Sequence, residues 1–201
     1  MFGIYKMDEG EIEYEGQKVN IPTPLDALDR GIAMVHQELQ PIPARTVAEN
    51  IWLGRYPTKK YGIVTVVDHA KMYKDTDELL KKLKLDIDPH AKLGSLSIAQ
   101  MQMVEIAKAV SANCKVLILD DSTSAVDTHT DACIRQALRD EIPDTTKIII
   151  AQRVTSLMDA DKIIVMDEGR VDSVGTHEEL LQSNAIYREV YESQQKGSVP
   201  Q

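Results

Sequence analysis

The sequence is poor in the residues that define several large classes of protein. Its 201 residues include only two cysteines, one tryptophan and one phenylalanine. Two cysteines cannot form the disulfide framework of a small secreted domain, so we predict that Cys114 and Cys133 are reduced residues packed in the core. No apolar run approaches the roughly 18 residues that span a bilayer, and no basic and then apolar leader is present. Neither membrane insertion nor export is therefore expected.

The chain also lacks an excess of positive charge. It has 23 lysine and arginine residues against 32 aspartate and glutamate residues, a net charge of −9. Binding to nucleic acid needs a basic surface that displaces counterions, so no nucleic-acid partner is expected. The sequence also has no basic patch that would bind anionic lipid, so we expect any association with a membrane to depend on a protein partner. With 43% hydrophobic and 27% charged residues, the composition is that of an ordinary globular domain.

The pattern of apolar residues predicts an α/β fold. The first part is mixed: a hairpin around Glu15-Gly16 and a buried strand at Ile32–Val35 flank a short helix that Thr23-Pro24 begins. The middle is helical, and Asp68 and Ser97 are suitable N-cap residues. The predicted helices are 25–30, 46–53, 68–85, 97–112, 128–140, 154–160 and one or more from about 176.

The last third predicts alternating strands and helices. The runs Val116–Leu119, Ile148–Ala151 and Ile163–Met166 are almost wholly apolar, which is typical of parallel strands covered on both faces. A hairpin is predicted around Glu168-Gly169. The first of these runs ends in Asp120 and Asp121, so it carries acidic side chains to the carboxyl edge of a sheet, where ligands bind in parallel α/β folds. Taken alone, an aspartate at that place is more often a turn residue.

The order of several polar motifs adds a family resemblance. The motifs are Gln37 at a strand end, Leu96-Ser97-Ile98-Ala99-Gln100 at a helix start, Asp120 after the apolar strand, Ser124-Ala125-Val126-Asp127 behind it, and Gln152 after the next strand. This series resembles the Q-loop, signature helix, Walker B strand, D-loop and switch position of the ABC ATPases. The resemblance covers essentially the whole chain. It implies a P-loop NTPase (RecA-like) core with an inserted α-helical lobe.

The resemblance also implies a role for each of these residues. Asp120 and Gln37 would hold Mg²⁺, while Asp121 and Gln152 would stand at the catalytic positions. The residues expected to bind ATP are Leu96, Ser97, Gln100 and Asp127. The first three, in the signature, would serve the nucleotide held by the opposite subunit, and Asp127 would bridge the two subunits. A serine at a helix N-terminus suits nucleotide binding physically, because its hydroxyl and the unpaired backbone N–H groups favour a phosphate. The implied cofactors are ATP and Mg²⁺.

Three features depart from the family pattern. None of the ten glycines is followed by lysine, so the G-x-x-x-x-G-K-[ST] loop that cradles phosphates is missing and the core is expected to be N-terminally truncated. Asp121 stands where the family usually has a glutamate base, and one methylene less withdraws the carboxylate by roughly 1.5 Å. Gln152 stands in place of a histidine and cannot carry its charge. The last two changes resemble the degenerate site of heterodimeric exporters.

The two ends of the chain resemble different branches of the family. Ile32–Leu39, Trp52–Pro57 and Gln100–Ala107 look like the ATPases of galactose- and ribose-type sugar importers. Asp121–Asp127 and Gly175–Leu180, with Ile150-Ala151-Gln152-Arg153, look like multidrug-type exporters. The join is placed near residue 113, which favours a hybrid over a single-branch protein.

The resulting expectation is an ATP-binding subunit of a transporter, peripheral on the cytoplasmic face of the membrane. Its partners would be a second ABC ATPase domain and transmembrane permease subunits, and the chain alone should be inactive. The expected domains are a partial β-rich core (1–37), a helical lobe ending in the signature helix (38–112) and the remaining core (113–201). Two alternatives stay open: a non-hydrolysing partner that lends Ser97 and Gln100 to another ATPase, and a truncated or hybrid fragment.

Overall fold

A three-stranded parallel sheet lies at the centre of the first 150 residues. The computed structural model describes residues 2–5, 7–35, 41–120 and 128–197, and these divide into two compact units, Met1–Ile150 and Ala151–Gln201. The first unit contains, in chain order, β1 (Ile12–Tyr14), β2 (Gln17–Val19), α1 (Pro24–Asp29), β3 (Ile32–Val35), α2 (Val47–Ile51), β4 (Thr58–Tyr61), β5 (Val64–Val67), α3 (His69–Lys82), α4 (Ile98–Val110), β6 (Val116–Asp120), α5 (Thr128–Glu141) and β7 (Thr146–Ile150).

The sheet has the strand order β3-β6-β7, with β6 between two parallel neighbours. Side chains of β6 alternate between two apolar layers, as the two-residue period of a strand requires. Leu117 and Leu119 pack with residues of α4 and α5, whereas Val116 and Ile118 pack with Ile21 and Ala27 on the opposite face. The prediction of a buried parallel strand at 116–119 is therefore confirmed. β7 begins two residues earlier than predicted.

Two predicted features near the amino terminus are confirmed. β1 and β2 form an antiparallel hairpin whose turn residues, Glu15 and Gly16, both have positive φ, the geometry of a type I′ turn. Thr23 caps α1, its hydroxyl accepting a hydrogen bond from the Asp26 backbone N–H at 3.2 Å. Pro24 occupies the first turn of α1, where a missing N–H costs nothing.

Two features of the middle segment were not predicted from the sequence. β4 and β5 form an antiparallel hairpin, and Gly62 supplies the positive φ that its two-residue turn needs. α3 begins after the predicted cap Asp68 but ends before the predicted Leu85. Lys84 adopts a positive φ of 56°, and the Leu85 N–H donates to the Leu80 carbonyl at 2.9 Å. This is a Schellman motif. The residue with positive φ is usually glycine in this motif, so Lys84 gives no sequence signal for the helix end.

The second unit contains β8 (Ile163–Asp167), β9 (Arg170–Gly175), α6 (His177–Ser183) and α7 (Ala185–Gly197). The hairpin at Glu168-Gly169 is confirmed, since β8 and β9 pair antiparallel through it. The prediction that 163–166 is a covered parallel strand is wrong, because β8 belongs to a two-stranded sheet with Ile164 and Met166 exposed. The predicted helix at 154–160 is a single 3-10 turn, Val154–Ser156.

Three smaller expectations have mixed outcomes. Cys114 is buried, but Cys133 is exposed, because on α5 it precedes the buried Ile134 and so falls outside the apolar stripe. No helix in the described ranges combines the length and the apolarity needed to cross a bilayer. The division into 1–37, 38–112 and 113–201 remains a prediction.

Candidate functional site

The best-defined part of the predicted site is the turn that begins α4. Ser97 is the N-cap residue, and its Oγ accepts a hydrogen bond from the Gln100 backbone N–H at 3.2 Å. Gln100 reciprocates, its Oε1 accepting from the Ser97 backbone N–H at 3.0 Å. This capping box leaves the N–H groups of Ile98 and Ala99, at the first two helical positions, without an intrahelical acceptor. Ser97 is exposed and its hydroxyl donates to Gln100 Oε1 at 3.2 Å, so an incoming anion would meet the N–H groups of Ile98 and Ala99 and a hydroxyl that can exchange this acceptor for the anion.

The turn is held in place by the chain that precedes it. A 3-10 turn at Leu93–Ser95 leads into Leu96, which is half-buried and packs against the apolar cluster under α2 and α3. The Gly94 N–H donates to the Pro43 carbonyl at 3.1 Å, and the Leu93 N–H donates to the Arg45 carbonyl at 2.9 Å. A Cβ on residue 94 would lie 3.0 Å from the Pro43 Cβ. A larger residue at this position would therefore have to displace Pro43 by a few tenths of an ångström, and glycine lets the two segments meet without that shift.

Asp120 lies on a different element, as the last residue of β6. Its Cα is paired with that of Ile150 on β7, so the carboxylate stands at the carboxyl edge of the parallel sheet. The side chain is half-buried, and within the ranges that the structure describes it has no hydrogen-bond or ion-pair partner. An unpaired carboxylate in this position is a suitable ligand for Mg²⁺, which takes one or two protein carboxylates beside phosphates and waters.

No complete metal site accompanies Asp120 in the described residues. Among them, no group of three or more histidine, cysteine, aspartate or glutamate side chains is arranged to hold an ion. Three predicted site residues, Gln37, Asp121 and Asp127, lie outside the described residues. The structure thus joins Leu96, Ser97 and Gln100 into one turn and leaves their relation to the other candidates a prediction.

Gln152, the predicted switch residue, is exposed and belongs to the second unit. Its backbone carbonyl accepts a hydrogen bond from Gln194 Nε2 at 2.8 Å, and Gln194 Oε1 accepts from the Val154 N–H at 2.9 Å. The side chain of Gln194 on α7 therefore holds the segment 152–154 by two hydrogen bonds to its backbone. Nothing in the sequence pattern pointed to Gln194, because a glutamine on an amphipathic helix carries no such signal.

A second residue that the sequence did not single out is Arg55. Its guanidinium bonds to the carboxyl end of α4, with Nη2 2.9 Å from Ser111 Oγ and 3.2 Å from the Lys108 carbonyl oxygen. From sequence, the run Trp52–Pro57 indicated only a resemblance to the sugar-importer branch, and Arg55 was assigned no role.

A cavity lies in the first unit on the side of the sheet away from Asp120. It has a volume of about 590 Å³ and is lined by residues of the β1–β2 hairpin, by Arg30 and Gly31 before β3, and by Asn113 and Lys115 before β6. These residues precede the strands, so the cavity is at the amino edge of the sheet, opposite the edge where Asp120 stands. An ion pair between Lys115 and Glu15, 2.6 Å apart, borders it.

Comparison with known proteins agrees with the motif order. The family model for ABC transporters matches residues 1–124. The chain is 43% identical over 180 residues to the galactose/methyl galactoside import ATP-binding protein MglA of Clostridium tetani, a match that covers 89% of this chain and 35% of that protein. A putative ribose/galactose/methyl galactoside import ATP-binding protein 2 of Agrobacterium fabrum is 43% identical over 177 residues, or 87% of this chain and 34% of the relative. The chain thus spans about a third of the length of these curated relatives.

Solved structures with the same fold include a bacterial Atm1-family ABC exporter with ATP bound. Its TM-score is 0.78 at 27% identity, over 96% of this chain and 34% of the exporter. A nucleotide-free ATP-binding cassette from an ABC transporter has a TM-score of 0.76 at 26% identity, over 94% of this chain and 79% of the cassette.

Proposed function

The chain belongs to the ABC transporter family of ATP-binding domains, and from that premise we propose that it serves as an ATP-binding subunit in the import of a sugar. The sugar is proposed because both relatives carry galactose import in their names. Transmembrane permease subunits and a second ATPase domain would complete the assembly at the cytoplasmic face of a membrane. The observation that carries the proposal is the exposed, capped turn of Ser97 at the start of α4.

This turn would act on a nucleotide held mainly by another subunit. Phosphoryl transfer depends on positioning and on stabilising charge at the γ-phosphate. Ser97 Oγ and the N–H groups of Ile98 and Ala99 would bind that phosphate, aided by the partial positive charge of the helix N-terminus. Asp120 would contribute a carboxylate oxygen to Mg²⁺, and the ion would neutralise charge on the phosphates.

We propose further that the 201 residues alone hydrolyse ATP very slowly. They contain no glycine-lysine phosphate loop, and Asp121 and Gln152 replace the usual glutamate and histidine. A shorter base that misplaces its carboxylate by about 1 Å costs on the order of 10²-fold in rate. Steady-state phosphate release by the purified chain should match a blank without protein. Turnover well above the blank that Asp120→Asn abolishes would contradict this proposal.

The signature role is tested by complementation. The chain is mixed with a full-length sugar-import ATP-binding protein, such as MglA of Clostridium tetani, in which the residue that aligns with Ser97 has been changed to alanine. ATP hydrolysis should return when the chain is added and should fail to return with Ser97→Ala. The matched control is Ser95→Ala, since Ser95 is also exposed and its Oγ donates only to the Lys92 carbonyl, at 2.7 Å. Equal restoration by the Ser97 and Ser95 variants would overturn the role.

The same mixture separates the second candidate function, a non-hydrolysing partner. If ATP hydrolysis is still restored when this chain carries Asp120→Asn, the chain contributes only its signature turn, the capped turn of Ser97 at the start of α4. Restoration that falls with Asp120→Asn indicates that the chain also supplies a metal ligand to a working site.

A further inference from the structure

The guanidinium of Arg55 ties the carboxyl end of α4 to the carboxyl end of α2. Nη1 lies 3.2 Å from the Ser111 carbonyl oxygen, and Nη2 lies 2.9 Å from Ser111 Oγ and 3.2 Å from the Lys108 carbonyl oxygen. Nη2 also lies 3.4 Å from the carbonyl oxygen of Ile51, the last residue of α2. Four acceptors on two helices thus share one side chain.

Arginine is suited to this place for two physical reasons. The last carbonyl groups of a helix have no intrahelical donor, and a cation there is favoured by the helix dipole. The planar guanidinium offers five N–H donors in a fixed fork, whereas lysine offers one compact charge on a flexible stem. Burial lowers the pKa of Arg55 from its ordinary value, but a guanidinium is not deprotonated in proteins near neutral pH, so the group stays charged.

The opposite end of α4 is held by the segment that precedes α2. Residues 43–45 accept the backbone hydrogen bonds of Leu93 and Gly94, which lead into Ser97. A continuous stretch, residues 43–55, therefore holds α4 at both ends. The thirteen residues of α4 give it a length of about 20 Å. The direction of its axis depends on both attachments, and the N–H groups of Ile98 and Ala99 point along that axis.

We infer that Arg55 is a positioning residue for the signature turn, because its bonds to Lys108 and Ser111 fix the axis of the helix whose other end carries Ser97. The inference rests on the proposed function of Ser97. Arg55 touches no nucleotide in this scheme and acts only through α4.

The test uses Arg55→Lys in the complementation assay described above. The maximal rate of restored hydrolysis should fall about tenfold, while the KM for ATP changes less than about twofold, because the partner's phosphate loop holds most of the nucleotide. Ser111→Ala, which removes one of the four acceptors and keeps the arginine, should give a smaller loss of about threefold. A maximal rate within twofold of wild type for Arg55→Lys would overturn the inference.

The matched control is Arg188→Lys. Arg188 caps the carboxyl end of α6 in the second unit in a similar way, its Nε and Nη2 each 2.7 Å from the carbonyl oxygens of Leu181 and Gln182. Its change should leave the maximal rate of hydrolysis unaltered even where it lowers the melting temperature. An equal fall in rate for both arginine variants would show a general loss of stability and overturn the inference.

A second measurement on the chain alone does not depend on activity. Amide hydrogen exchange at Gln100 and Met101, whose N–H groups donate to Ser97, should be at least fivefold faster in Arg55→Lys than in wild type and unchanged in Arg188→Lys. If exchange responds but Ser97→Ala has no effect on complementation, the proposed function fails and the mechanical link stands. Unchanged exchange at both amides would overturn the link itself.

Discussion

Buried hydroxyl and amide groups join α2 to α3 and to the segment that precedes α2. Thr76 is fully buried on α3, and its Oγ1 donates to the Met72 carbonyl at 2.7 Å and accepts from Trp52 Nε1 at 3.0 Å. Thr76 Oγ1 thus supplies the acceptor of the partly buried indole N–H. Asn50 on α2 is similarly buried, and its side chain bonds to both backbone groups of Ile42. Both side chains are buried and hydrogen-bonded to specific partners, so removing one of these groups leaves its partners without a bond and destabilises the fold.

Thr76→Val should lower the free energy of unfolding by about 1–3 kcal/mol, because it removes the acceptor of the Trp52 indole N–H while conserving volume. Thr76→Ser keeps the hydroxyl and loses only a methyl group, so it should cost less, about 1 kcal/mol. Urea unfolding followed by the fluorescence of the single tryptophan measures both changes. A valine variant as stable as the serine variant would contradict the importance of this bond.

At the scale of elements, caps decide where the short helices begin. α2 has five residues and starts with a reciprocal capping box between Thr46 and Glu49. A backbone hydrogen bond from Thr46 lowers the pKa of Glu49, and Arg45 lowers it further, against the opposing effect of burial. Since the folded-state pKa lies below its ordinary value of 4.5, the Glu49 carboxylate stabilises the fold above that value. This contribution is lost as the pH falls through the lowered pKa.

Glu49→Gln should therefore lower the melting temperature most near neutral pH, and the difference from wild type should shrink as the pH falls below about 4. Thermal unfolding between pH 7 and pH 3 measures the difference. Glu189→Gln, on an exposed position of α7, controls for the loss of one negative charge. A difference that stays constant over this range would show that the Glu49 carboxylate contributes nothing as an ion.

Elements were predictable where a local signal marks them. Thr23, Asp68 and Ser97 are cap residues that the sequence shows directly, and α1, α3 and α4 begin at them. The hairpin β4–β5 was missed because its strands mix lysine, threonine and valine without a clear alternation. The apolar run of β8 suggested a buried parallel strand, and only its pairing with β9 shows otherwise.

At the scale of the whole molecule, each compact unit has its own apolar core. Among the described residues of the second unit, that core has four buried side chains, those of Val154, Ile163, Leu180 and Tyr187, with partly buried apolar side chains packed against them. A core so small supplies little stability. Cooperative unfolding is nevertheless expected of both units, and its observation in the purified chain would count against an unstable fragment.

Leu180→Ala should remove about 2–5 kcal/mol from the second unit, since Leu180 is 1% exposed. The amides of α6 and α7 should then lose most of their protection against hydrogen exchange, while those of β6 keep theirs. Leu117→Ala, in the core of the first unit, is the reciprocal control and should affect β6 first. Equal loss of protection in both units for either variant would show that they unfold as one.

The sequence alone determined the family of this protein, its α/β class and the capped start of α4, because these depend on the order of motifs and on contacts between residues a few positions apart. Only the tertiary structure decided that β8 leaves the parallel pattern, that Gly94 must approach Pro43 and that Arg55 joins two helices. Arg55 and Ser111 are 56 positions apart, and a pairing of that kind arises from packing, which no local pattern records. The absence of a glycine-lysine phosphate loop from these 201 residues is read directly from the sequence, and the phosphate-release assay measures its effect on ATP hydrolysis.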